Sequence, residues 1–281
     1  MIRTLSSRAG EVGELYIDRS DGRPFSKYIE ITTDHSAAGI EKRCRSQFLA
    51  LFSSFSKLAF QLTNQTEYIT FDEGKALINE VSNLCATLLG ALSEGGEPWR
   101  VINNSGIGEF GSVERAPAIA AYSGVFALQM GWEPIEEIML AAVLADLGLL
   151  FLPTATLKRI RDYSASVLKG EERERYQKYP QMSVSLILER KLQLADNVKN
   201  WIQTSQESCD GKGFPKQMEF ARIPIEARLI HFCRDFDRKT LLRIGEERPN
   251  PKLIFKTMVT DDAQASSVYG ADLLEQLKKI I

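Results

Sequence analysis

Apolar residues recur every three or four positions along most of this chain, the period of helices that bury one face. Residues 39–62 set Phe48, Leu51, Phe52, Phe55, Leu58 and Ala59 on one stripe, and residues 71–92 do the same with Ala76, Leu77, Val81, Leu84, Leu88 and Leu89. Both segments are expected to be helices, the second stopping before the Gly95-Gly96 breaker. Further helices are expected over residues 113–131, 134–151, 181–206, 223–242 and 271–281. Only near the start does the pattern shorten. There, two strands, ELYI and KYIEITT, are expected within residues 13–33, joined by the turn-forming RSDGRPF, with Asp34 as the N-cap of the first helix.

The five glycines within residues 93–111 read as a linker or long loop. This places a domain boundary near residue 105, with an N-terminal module over 1–105 and a C-terminal domain over 106–281. The fold class expected is mainly α: an all-α C-terminal domain behind a small N-terminal module that is α/β or mostly helical. A length of 281 residues suits one large domain or two ordinary ones, each able to bury a core.

Composition narrows the chemistry. With 35 Lys and Arg against 37 Asp and Glu, no general attraction for nucleic acid or an anionic membrane is expected, so any anion site must be local. No signal-peptide core or membrane-length apolar run is read at the N-terminus, and the expected location is cytoplasmic. Cys44, Cys85, Cys209 and Cys233 form no CxxC pair and are expected to be buried free thiols. Two histidines, His35 and His231, are too few and too far apart for an imidazole-rich metal centre. His35 is expected at the surface, and His231 to make an i,i+4 surface contact with Asp235.

The most unusual stretch is ESCDGKGFP at 207–215, in which glycines flank a lysine and a proline closes the turn. Such a loop can bring backbone N–H groups to an anion, although an ordinary interhelical loop has the same composition. After it comes IPIEARLIHFCRDFD, which opens with Pro224 at a helix start. Upstream stands LADLG at 144–148.

In order and spacing these three elements resemble the HD-GYP family of cyclic di-GMP phosphodiesterases, whose pattern is LHDIGK, then HHExxDGxGYP, then IPxEARIxxxADxFDAL. The resemblance covers roughly residues 113–281. It implies an all-α domain of five core helices plus extra helices, with a site of two or three metals held by histidines and carboxylates. Ala145-Asp146 stands where the family has its His-Asp pair, and Leu149 where it has a phosphate-contacting lysine. Tyr179 replaces a histidine, Ser205 and Gln206 replace the adjacent histidine pair, Glu207 keeps its carboxylate, and Arg234 replaces the final aspartate. The family's first histidine falls near Arg115.

These substitutes are poor ligands for a transition metal, and Asp146 with Glu207 alone cannot hold two cations. An Arg234–Asp146 ion pair is expected in place of the metal cluster, and with it a pseudoenzyme with no catalytic residues, no metal and no cofactor. Asp210, Gly211, Lys212, Gly213, Phe214 and Pro215 match the DGxGYP loop, which the resemblance links to docking of GGDEF-type diguanylate cyclase domains. Pro224, Glu226, Ala227, Arg228, Phe236, Asp237, Thr240 and Arg243 match too, and these residues could equally do no more than maintain the fold.

The function expected is a catalytically inactive regulatory protein in cyclic di-GMP signalling. It would act through protein contact by the DGKGFP loop and the N-terminal module, with a GGDEF-type domain as a candidate partner and a homodimer as a candidate assembly. The alternative is a metal-independent receptor for cyclic di-GMP or a related nucleotide, with Arg159, Arg234 and Arg243 as phosphate-binding candidates. An active metal-dependent phosphodiesterase is the third reading.

Overall fold

The structure, a computed structural model, describes residues 36–63, 70–94, 98–105, 113–241, 249–261 and 264–280. Its described residues form helices and connecting turns, with no strand among them. The expected hairpin within residues 13–33 and the Asp34 cap lie outside the described residues, as do His35 and Arg243.

Helix α1 (Ala37–Thr63) buries Cys44, Phe48, Leu51, Phe55, Leu58 and Leu62, the spacing that gives one apolar face. Helix α2 (Phe71–Ser93) packs antiparallel in sequence order against it. It begins at a capping box: Thr70 Oγ1 accepts from the Glu73 amide at 3.3 Å while the Glu73 carboxylate accepts from the Thr70 amide at 2.8 Å. By length and hydropathy α2 could also cross a membrane. Its apolar face, however, is packed in the core, and its exposed face carries Asn79, Glu80, Asn83 and Thr87.

Where a linker was expected, residues 98–105 form a helix, α3 (Pro98–Ser105), which packs on α1 and α4. Pro98 explains the start, since proline is favoured in a first helical turn. Its Val101 and Ile102 are buried, so the apolar pair inside the glycine-rich stretch outweighed the breakers around it. One contiguous core holds residues from both sides of position 105.

Helix α4 (Ala116–Met130) is buried nearly all round and ends at Gly131, whose φ of 69° lies in the left-handed region. Helix α5 (Ile135–Leu144) lies against it closely enough that a Cβ on Gly124 would meet Met139 Sδ at 2.5 Å. The helix expected over 134–151 ends early, at Leu144, and is followed by a 3-10 turn, Leu147–Phe151. Helices α6 (Thr154–Tyr163) and α7 (Gly170–Gln177) follow at the surface.

The single helix expected over 181–206 is two, α8 (Tyr179–Glu189) and α9 (Asp196–Thr204). The break is a C-terminal cap in which Lys191 takes φ of 56° and the Leu192 amide donates to the Ile187 carbonyl at 3.0 Å. Helix α10 (Ile225–Thr240) packs on α4, where Phe126, Phe232, Phe236 and Phe255 meet at centroid separations of 5.0–6.4 Å. The short helices α11 (Pro251–Lys256), α12 (Ala265–Tyr269) and α13 (Ala271–Leu277) close the fold.

Candidate functional site

Helix α10 sorts its polar residues onto two faces. Arg234 and Asp237, three apart, face inward, whereas Asp235 lies on another face with His231 and Arg238. Inward, the Arg234 guanidinium is ion-paired with Asp146 and donates to the Tyr179 hydroxyl, its Cζ lying 5.1 Å from that ring's centroid. The expected Arg234–Asp146 pair is thus present, and Tyr179 closes it. Asp146 sits where α5 gives way to the 3-10 turn, and Tyr179 opens α8, so Arg234 joins three elements.

A second pair lies beside the first. Arg115, in the 3-10 turn (Val113–Arg115) before α4, grips Asp237 through both carboxylate oxygens, with Nε to Oδ2 at 3.0 Å. Asp237 thus neutralises an arginine 122 residues away. The two pairs feel each other, because Arg234 also draws on the charge of Asp237. Burial pushes the Asp146 and Asp237 carboxyls up, with Arg234 and Arg115 respectively pulling them back. Burial likewise works against both guanidinium charges, yet the adjoining carboxylates hold Arg115 and Arg234 above the ordinary arginine value, so both stay charged.

The other positions of the expected metal site are committed locally. Ala145 is buried, and its carbonyl accepts from Ser183 Oγ at 2.8 Å. Ser205 donates back to the Ile202 carbonyl at 2.9 Å, and Gln206 to the Ser205 carbonyl at 2.8 Å. Glu207, fully buried, does not reach Asp146; its carboxylate accepts from the Lys216 amide at 2.7 Å and the Met218 amide at 2.9 Å. The Glu207 carboxylate thus clasps the loop that follows it. Among the described residues no group of three His, Cys, Asp or Glu is arranged to hold a metal. The side chains present do not fit a metal centre: two carboxylates are salt-bridged, the third is bound by amides, and no imidazole is among them.

The DGKGFP loop is held from several sides. The Phe214 amide donates to the Gln206 carbonyl at 3.0 Å, and a Cβ on Gly213 would overlap the backbone of Glu207 and Ser208. Asp210 Oδ1 accepts from Ser208 Oγ at 2.6 Å and from the Lys212 amide at 3.0 Å, while Gly211 takes φ of 73°. Phe214 turns inward onto Tyr176 and Tyr179, at 5.4 and 5.9 Å. Lys212 is left at the tip with 85% of its side chain exposed. His231 is half-buried rather than at the surface: it approaches Asp235 at 3.7 Å and places Nδ1 3.0 Å from the Glu207 carbonyl.

Of the phosphate-binding candidates, Arg159 and Arg234 lie among the described residues, and each is engaged in its own ion pair. Arg234 is enclosed in its pair, and Arg159 on α6 is salt-bridged to Glu172 while donating to the Val167 carbonyl at 3.3 Å. Two concavities, of about 210 and 600 Å³, lie at α6–α7 and at the α2, α8 and α9 junction, and neither is lined by Asp146, Tyr179 or Arg234. Of the thiols, Cys44, Cys85 and Cys233 are buried as expected, and Cys209 is half-buried. Burial pushes Cys44 up to about 11 and Cys85 up to about 12, which leaves them protonated and inert.

Below the loop, Arg228 of α10 binds Asp272 at 2.6 and 2.9 Å and the Tyr269 carbonyl at 3.0 Å, tying α13 to α10. The Arg228 hydrogen bonds hold the Asp272 carboxyl below its usual range, and the Ser208 hydroxyl does the same for Asp210. A carboxyl depressed in the fold stabilises above its unfolded value and loses that contribution as pH falls through its folded value. The urea midpoint is therefore expected to decline below about pH 4, the carboxylate range, and Asp272→Asn to decline less steeply over that interval. An equal slope for both proteins would exclude the Asp272 contribution.

The buried site joins the end of α5, the start of α8 and the C-terminal half of α10 within a helical domain. The chain belongs to the HD domain family, whose model matches residues 100–266, more than half its length. Among solved structures it is similar to Bd1817, an HDG"Y"P protein from Bdellovibrio bacteriovorus, with a TM-score of 0.59 at 16% identity. That match covers 94% of this chain and 81% of the other, so the shared fold extends beyond the region with the three motifs. No curated protein matches the sequence.

Proposed function

We propose that this chain is a catalytically inactive relative of the HD-GYP phosphodiesterases that regulates cyclic di-GMP signalling by contacting a protein partner. The observation that carries the reading is the sealed state of Asp146: its carboxylate is bound by Arg234 and Tyr179 and only 3% of the residue is exposed. A metal would have to displace a guanidinium, and hydrolysis would need a bound water for which the described residues offer no ligand set. Contact through the DGKGFP loop is supported by its build: it is clasped by Glu207, packed by Phe214 and tipped by the exposed Lys212. A preorganised loop loses little entropy on docking.

The test is capture of a GGDEF-type diguanylate cyclase domain by the full chain in the presence of chelator. Capture is expected to persist without metal and to weaken roughly tenfold, about 1.4 kcal/mol, in Lys212→Glu. Failure of the wild type to capture the domain would remove the docking reading. Manganese-dependent hydrolysis of cyclic di-GMP by the purified chain would overturn the inactive one.

A further inference from the structure

Four charged side chains meet inside this domain, and each is more than nine-tenths buried: Arg115 at 4% exposure, Asp146 at 3%, Arg234 at 8% and Asp237 at 2%. An ionised group buried alone is strongly destabilising, so each of these is tolerable only through its partner. The two arginines bring as much positive charge as the two aspartates bring negative. They also stand at or near positions where the HD-GYP pattern has a histidine and an aspartate ligand.

We infer that Arg115 and Arg234 are built-in cations that do for Asp146 and Asp237 what bound divalent ions do for the carboxylates of a metal centre, so that this domain folds independently of metal. The inference rests on the reading of the site as one without metal chemistry and extends it to a second pair. Arg234 is the pivot, because it neutralises Asp146 directly and also acts on Asp237, which shares its helix face. Replacing it with aspartate would set three carboxylates against the single guanidinium of Arg115 in a closed space. Carboxylate oxygens suit hard divalent cations such as Mn²⁺, so this single change creates a demand for the ion that the wild type lacks.

The experiment is thermal unfolding of the full chain in EDTA and in ~1 mM Mn²⁺, a concentration at which a folded-state site raises the midpoint by mass action. The wild-type midpoint is expected to be the same in both. In EDTA, Arg234→Asp should lose roughly 10 °C, the scale of a broken buried pair in a chain of this size, and should regain at least half of it in Mn²⁺. Arg234→Met should lose a similar amount and regain nothing, which separates loss of the cation from creation of a site. Arg234→Met combined with Asp146→Leu removes both charges and should be more stable than Arg234→Met alone, which keeps the test open if Arg234→Asp does not fold. A wild-type midpoint that rises by more than ~5 °C in Mn²⁺, an Arg234→Asp protein indifferent to Mn²⁺, or a double variant no better than Arg234→Met would each overturn the inference. The last two results, with the wild type still inert to metal and inactive on cyclic di-GMP, would leave the proposed function standing. Hydrolysis by the wild type would sink that reading instead.

Discussion

Replacing Asp237 by alanine is expected to destabilise the domain by about 3–5 kcal/mol, the cost of leaving a buried charge without its partner. The orphan would be Arg115, whose guanidinium is held by both oxygens of this carboxylate at 4% exposure. Ordinary exposure cannot rescue it, because the 3-10 turn that carries it is fixed by the start of α4. Asp237→Asn is the finer probe: it keeps the shape and one acceptor but removes the charge, and should cost less than alanine. Urea unfolding of the three proteins checks this order. A loss below about 1 kcal/mol for Asp237→Ala, the size of an exposed ion pair, would show that the pair adds little.

Gly148→Ala should cost at least about 3 kcal/mol, the upper end of overpacking. A Cβ at this position would overlap the Tyr179 carbonyl and approach the Ser183 amide to 3.0 Å. Those are backbone atoms of the first turn of α8, which cannot swing aside as the tip of a side chain can. To make room, α8 must shift away from the 3-10 turn. That movement would break the bond from the Gly148 amide to Ser183 Oγ, 2.7 Å, and draw Tyr179 off Arg234. The expected signature is a lowered urea midpoint together with altered near-ultraviolet dichroism from the Tyr176, Tyr179 and Phe214 cluster. An unfolding free energy within about 1 kcal/mol of wild type would mean that α8 relaxes more easily than close packing allows.

The long amphipathic helices were legible residue by residue. The stripe over 39–62 became α1 at Ala37–Thr63, and that over 71–92 became α2 at Phe71–Ser93, because an unbroken apolar face needs tertiary packing to set only its ends. Helices α6 and α7, TATLKRIRDY and GEERERYQ, were not seen: both are short and rich in charge, with few apolar residues from which a stripe could be read. The break between α8 and α9 was hidden because lysine holds a left-handed position that glycine usually marks.

At the site, the Arg234–Asp146 pair could be anticipated because the motif spacing set an arginine and an aspartate on positions that meet. The Arg115–Asp237 pair could not, since it joins residues 122 apart and Arg115 precedes its helix with no periodic signal. The clasp of Glu207 was equally silent. Its partners are backbone amides, which carry no side-chain signature in a sequence.

The separation along the chain within the two buried pairs bears on how long the folded state lasts. Residues 122 and 88 positions apart can meet only after most of the domain between them has been ordered, whereas α4 and α5 pack as near neighbours in sequence. The pairs are therefore expected to form late, with Asp237→Ala speeding unfolding far more than it slows folding in a denaturant-jump experiment. Interactions absent from a transition state leave the rate of folding almost untouched and govern the rate of escape from the native basin. On the metal-free reading proposed above, a lifetime that bound metal would set by its concentration in the surroundings is set instead by residues of the chain.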